Sequence, residues 1–184
     1  MKKYILILFL VVFAIPAMSQ WTQTFENLKM YRVEIAGIAN DEQALYLSRL
    51  ISECNNVLIA RIYQEGEGLI FTEGEIDFNE IFEKIAKVQN VQVGERYQVT
   101  PNKEDYITTY CNFGLIPVKD IENTIPSPLK INDPQKQSRA HSVMKQLWVE
   151  KYPESHKRLM PASNEEDPLV KQQKEKELYN QKNN

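Results

Sequence analysis

Few residues in this chain are equipped for chemistry. There are two cysteines, Cys54 and Cys111, and two histidines, His141 and His156. A catalytic site needs a nucleophile, a base and an orienting group that can converge. Cys111 with His141 is a conceivable thiol–imidazole pair, but no recognisable signature surrounds Cys111. Ser142 beside His141 cannot face it on a helix, where adjacent side chains point apart. His141 and Met144 stand one helical turn apart and, with His156, make a weak metal-ligand set; Asp133 and Met160 are further donor types nearby. Met144 also falls on an apolar stripe, where core packing is the ordinary role. Glu65-Gly66-Glu67-Gly68 places acids where a phosphate cradle needs bare amides, and the carboxylates lack calcium-loop spacing. No cofactor is expected, and an enzyme ranks third among the functional classes.

Composition and the first residues bound where such a chain works. Lys2 and Lys3 precede an uncharged apolar run from Tyr4 to Ile15. Pro16 breaks that run, and Ala17-Met18-Ser19 supplies small residues before Gln20. That is the pattern of a secretory signal peptide, residues 1–19, cleaved after Ser19. The apolar core is about a dozen residues, short of the roughly 20 that span a bilayer. The expectation is a periplasmic or secreted protein with no stable membrane anchor after cleavage. Without Lys2 and Lys3 the chain carries 20 basic and 25 acidic residues, a net charge of −5. This argues against nucleic acid as a partner, which would call for a basic patch. An oxidising compartment permits a disulfide, so Cys54 and Cys111 are a candidate bridge, with two separate thiols as the alternative.

The elements that must position these residues follow from periodicity. Residues 20–30 are a polar lead-in. Tyr31-Arg32-Val33-Glu34-Ile35 alternates as a half-buried strand does, and Gly37 ends it. Asn40 with Gln43 three residues on reads as a helix cap, followed by an apolar face of Ala44, Leu47, Leu50, Ile51 and Cys54. Val57–Tyr63 and Leu69–Thr72, joined through Gly66 and Gly68, predict a hairpin. Asp77 and Glu80 predict a second capping box, and Phe78, Ile81, Phe82, Ile85 and Val88 a buried helical stripe. Val91–Val99 predicts a fourth strand. This order predicts an α+β fold, a ferredoxin-like βαββαβ sandwich over residues 31–99, with helices on one sheet face and the other open.

Residues 31–93 resemble the heavy-metal-associated domain. Gly37-Ile38-Ala39-Asn40-Asp41-Glu42-Gln43-Ala44 occupies, without a gap, the frame of that family's Gly-Met-Thr-Cys-x-x-Cys-Ala loop. Val57-Leu58-Ile59-Ala60-Arg61-Ile62 is similar to its Val-x-x-Ala-x-Val second strand. The resemblance implies the ferredoxin-like scaffold and, for the family, carriage of soft metal ions. Asn40 and Gln43 stand where the two metal-binding cysteines would be, and neutral amides do not replace a thiolate pair. The loop therefore reads as a degenerate metal site kept for capping.

Beyond Val99 the composition changes. Residues 100–132 read as an irregular extension, with a strand at Tyr106–Tyr110 that places Tyr106, Thr108 and Tyr110 on one face. Residues 133–161 read as helical: Asp133-Pro134 opens a helix whose stripe is Ala140, Val143, Met144, Leu147 and Trp148. Residues 162–184, polar and charged, read as a disordered tail. The stripe either docks on the domain or offers Val143, Leu147 and Trp148 to a partner. The leading functional expectation is a non-catalytic exported module that binds an envelope protein through the open sheet face, the edge strand or this helix. A periplasmic Cu, Zn or small-ligand binder is the alternative.

Overall fold

Strand β1 (Lys29–Ala36) keeps the alternation its sequence demands: Tyr31, Val33 and Ile35 are buried, whereas Arg32, Glu34 and Ala36 are exposed. The computed structural model describes residues 24–160, so the signal-peptide reading and the tail from 162 lie outside the described residues. After β1 come α1 (Asp41–Ser52), β2 (Val57–Ile62), β3 (Glu67–Thr72), α2 (Phe78–Ile85) and β4 (Gln92–Val99). Then follow α3 (Lys103–Phe113), a 3-10 turn at Val118–Asn123, α4 (Pro134–Lys151) and α5 (Pro153–Leu159). The fold is α+β. Its four strands form one antiparallel sheet in the order β2-β3-β1-β4.

Two apolar cores lie on opposite sheet faces. One holds Tyr31, Val33, Ile35 and Ile70 of the sheet with Leu47 and Ile51 of α1 and Ile81 and Ile85 of α2. Leu50, expected in that stripe, is only half-buried. The other holds Met30, Leu58, Leu69 and Phe71 with Tyr106 and Tyr110 of α3 and Val143, Leu147 and Trp148 of α4. The second face is thus partly covered. The cover comes from residues beyond 99, which supply 12 of the 33 buried apolar residues.

Two local expectations are overturned. Tyr106–Tyr110 is helical, inside α3, because Asn102 accepts the Glu104 N–H at 2.8 Å as N-cap and the apolar residues fall at Tyr106, Ile107, Tyr110 and Cys111. That spacing of three and four buries one helical face, and docking on the sheet overrides the strand preference of Thr108, Thr109 and the tyrosines. The second capping box is also incomplete. Asp77 caps α2 by accepting from Asn79 N–H at 2.9 Å, but Glu80 turns away and accepts the Asn55 N–H at 3.0 Å, past the end of α1.

The β2 edge of the sheet is sealed from within. Ala60 N–H donates to Ser52 Oγ at 2.9 Å and Ile62 N–H to Ser48 Oγ at 2.8 Å. Each hydroxyl in turn donates down its own helix, Ser48 to Ala44 O and Ser52 to Ser48 O. Both serines are buried, so their loss strands a donor away from water, at a cost of about 1–3 kcal/mol each. Ser48→Ala and Ser52→Ala should each lower the urea midpoint, and the double variant should lower it further. Midpoints within error of the parent would show that β2 needs no such acceptors.

Candidate functional site

Gly37–Ala44 forms a strand-to-helix junction in which both amide side chains have backbone work. Asn40 Oδ1 accepts the Gln43 N–H at 2.9 Å, and Gln43 Oε1 accepts the Ala39 N–H at 2.6 Å. The reciprocal bond reaches the residue before the N-cap, so one helix-opening donor and the amide just ahead of the cap are satisfied. Asn40 and Gln43 therefore act as caps at the positions where the resemblance would put thiolates.

The sequence-predicted reactive groups are spread through the interior. Cys54 and Cys111 are both free thiols, and they belong to the two different cores. The bridge is thus corrected to two separate thiols. Burial pushes each up to about 11, which leaves almost no thiolate at neutral pH. His141 Nε2 lies 2.8 Å from Pro126 O, and the His156 ring packs edge-on to Trp148 at 6.0 Å. Met144 is wholly buried, so it faces the core and not a shared ligand site with His141. Among the described residues no group of three or more His, Cys, Asp or Glu side chains is arranged to hold a metal.

Val143, Leu147 and Trp148, expected as partner contacts, are 0%, 2% and 0% exposed. They are corrected to core residues: the stripe docks on α3 and the sheet, and Trp148 Nε1–H donates to Ile121 O at 2.7 Å. The Trp148 face of α4 therefore has no free surface to give.

A cleft of about 520 Å³ lies where the start of α4 meets the end of α1, lined by Glu53, Glu73, Lys84, Asp133, Lys136 and Arg139 among others. Its charges are engaged within the chain. Lys136 Nζ donates to Ser52 O at 2.7 Å and Cys54 O at 3.0 Å, a cation on the carbonyl end of α1. Desolvation holds this lysine below its ordinary pKa. Arg139 Nε contacts both oxygens of Glu73, at 2.7 and 2.9 Å, and Asn132 donates to Glu53 at 3.1 Å. This arrangement clamps α4 to the sheet-bearing part of the chain.

The opposite edge of the sheet is different. Among the described residues no strand pairs with the outer side of β4. Six of its eight residues are exposed, with Val93 and Val99 half-buried. Arg96 lies over the rings of Phe78 and Phe82, 4.9 and 4.8 Å from their centroids, which ties β4 to α2. Tyr97, opposite Arg32 of β1, is 51% exposed. The pairing with β1 slips by one residue between Val33 and Ile35, which inserts a bulge at Gly94-Glu95. A Cβ on Gly94 would lie 3.2 Å from Glu34 Cβ and 3.3 Å from its Oε2, so the Glu34 side chain packs against the bare Gly94 backbone of β4.

Inward from that edge the sheet face is uncovered and acidic. Glu34 and Glu67 are direct cross-strand partners, an arrangement of like charges that is destabilising. Beside them a groove of about 460 Å³ is lined by Arg32, Tyr63, Glu65, Glu67, Leu69 and Asp105. Among the described residues none of Glu34, Glu65, Glu67 and Asp105 is in an ion pair, and Arg32 is the only basic residue lining the groove. Sequence patterning pointed to an open face and an edge strand but not to these residues. The exposed Arg32-x-Glu34 face of the first strand was the signal for two of them. Comparison with protein-family models, curated proteins and solved structures finds no match.

Proposed function

We propose that this chain is a non-catalytic exported module that binds a protein by adding an extended segment to the free edge of β4. The scaffold is read as a ferredoxin-like sandwich, a degenerate relative of the heavy-metal-associated domain. Strand order β2-β3-β1-β4 with every neighbour antiparallel supports the first part. The caps at Asn40 and Gln43 support the second. Export is read from Lys2, Lys3 and the apolar run ending at Ala17-Met18-Ser19.

The observation that carries the function is the unequal treatment of the two edges. Unpaired strand edges are templates for another chain, and proteins usually cover them. Here β2 is sealed by two buried serines, while β4 has no such cover among the described residues. An edge strand exposed in this way is the receiving half of strand addition, in which backbone bonds supply affinity and flanking side chains supply choice. The bulge at Gly94-Glu95 limits the regular run available and so disfavours open-ended stacking of copies.

Site-specific photocrosslinking in intact cells tests this. A benzoylphenylalanine at Tyr97 should give a discrete adduct, whereas the same residue at Tyr46, 55% exposed on α1, should not. Equal adducts at both positions, or none at 97, would overturn the assignment.

A further inference from the structure

The edge that takes a segment also limits which segment it takes; resting on the strand-addition function, we infer that the partner segment is basic, with lysine or arginine at alternate positions. Glu34 lies against Gly94, the one β4 residue without a side chain, with its Oε2 3.3 Å from where a Cβ would stand. A lysine on an added strand opposite Gly94 therefore meets no β4 side chain between itself and that carboxylate. Neighbouring strands lie about 4.8 Å apart, so a four-carbon stem spans the gap from the new strand across β4.

Inward of this contact the carboxylates continue. Glu67 pairs directly with Glu34, and Glu65 and Asp105 line the adjoining groove with Arg32. Placing Glu34 opposite Glu67 stabilises nothing inside the chain. A local arrangement that opposes folding is expected where function requires it. Alternate positions of an added strand point to the same face, so its cations align along the acidic half of the sheet. Tyr97, on that same face, offers a ring for a lysine stem or an arginine guanidinium.

The test uses six blocked nine-residue peptides against the mature chain, read by fluorescence anisotropy. One alternates lysine with valine and one alternates glutamate with valine. The other four are their counterparts N-methylated at every second amide, each sequence in both phases. The lysine peptide should bind about tenfold tighter than the glutamate peptide, consistent with a few cross-strand ion pairs. That preference should shrink in high salt. Glu34→Gln with Glu67→Gln should cut it to about twofold without lowering stability, because a like-charge pair is removed. N-methylation in the phase facing β4 should abolish binding. Equal affinity for lysine and glutamate peptides would overturn the basic-partner inference and leave strand addition standing. Lysine-peptide binding that survives N-methylation in both phases would overturn strand addition. Binding by none of the six peptides would overturn both.

Discussion

Gly37→Ala should cost more than about 4 kcal/mol, the range reserved for substitutions that break a specific structural constraint. Gly37 sits at φ +84°, where any other L-residue is strained by about 1–2 kcal/mol. Steric overlap costs more than this strain. A Cβ there would fall 1.7 Å from Asn90 O and 2.8 Å from Asn90 C. Both obstacles are backbone, so no rotamer change relieves them. Asn90, itself at φ 64°, turns the chain from α2 into β4, and Ala36 pairs with Gln92 immediately beside it. Admitting a methyl group means pulling β4 away from β1 at that end. Two further glycines calibrate the effect. Gly66, at φ +96°, would place a Cβ 2.9 Å from Ile35 O, so its alanine variant should lose less than Gly37→Ala but still measurably. Gly74, whose added Cβ meets only Asn56 Nδ2 at 3.9 Å, should change little. Urea unfolding followed by circular dichroism gives the order, with soluble yield as the readout if Gly37→Ala does not fold. A Gly37→Ala variant within about 1 kcal/mol of the parent would refute the close seam. The same result would remove the structural reason for a glycine between β1 and α1.

The sheet-and-helix portion before Val99 was legible because its signals are local. Alternation along Tyr31–Ile35, the Asn40–Gln43 cap and the apolar stripe of α2 each fix an element with no knowledge of the rest. The failures share a cause. In Tyr106–Tyr110 strand-forming residue types overlay a helical spacing, and only docking against Phe71 and Leu58 decides between them. Asn102, Glu104 and Asp105 were the overlooked start signal for that helix. Glu80 looked like the second half of a capping box, but its carboxylate was claimed by a backbone donor 25 residues earlier. Ser48 and Ser52 carry no local signal of their role. Their role appears only once β2 is known to be an edge, and strand order is not written in any local stretch. The same holds for Cys54 and Cys111: spacing says nothing about which sheet face a thiol lies on. The candidate site belongs to this second class, because Gly94 and Glu34 are 60 positions apart and acquire meaning only when β4 lies beside β1.

Trp148→Ala should cost about 3–5 kcal/mol, the range for removing a buried aromatic side chain. The ring is fully buried, its Nε1–H donates to Ile121 O at 2.7 Å, and the His156 ring packs edge-on against it. It therefore joins four pieces of chain: α4 that carries it, α5, the 3-10 turn, and through Tyr106 and Tyr110 the helix that covers the sheet. Truncation leaves a cavity and removes the shorter of two donors to Ile121 O, which keeps only the Thr124 N–H at 3.3 Å. Trp148→Phe separates the loss of packing from the loss of the hydrogen bond. It keeps most of the apolar volume and removes the donor, so its cost should be about 1–2 kcal/mol. The form of the transition matters as much as its midpoint. Met30, Leu69 and Phe71 share this core with Trp148, so the substitution should lower the urea midpoint of one cooperative transition with an unchanged slope. If residues beyond 99 were instead an appended unit, the variant would melt in two steps, with the β1–β4 portion unfolding at its original midpoint. A loss under about 1 kcal/mol would return Trp148 to the surface and revive the helix as a docking face. The clamp at Arg139–Glu73 and Lys136 lies at the other end of α4, so Trp148→Ala also shows whether the charged end alone can hold the helix. Undocking in the variant, with that clamp intact, would place the energy of attachment in the apolar stripe.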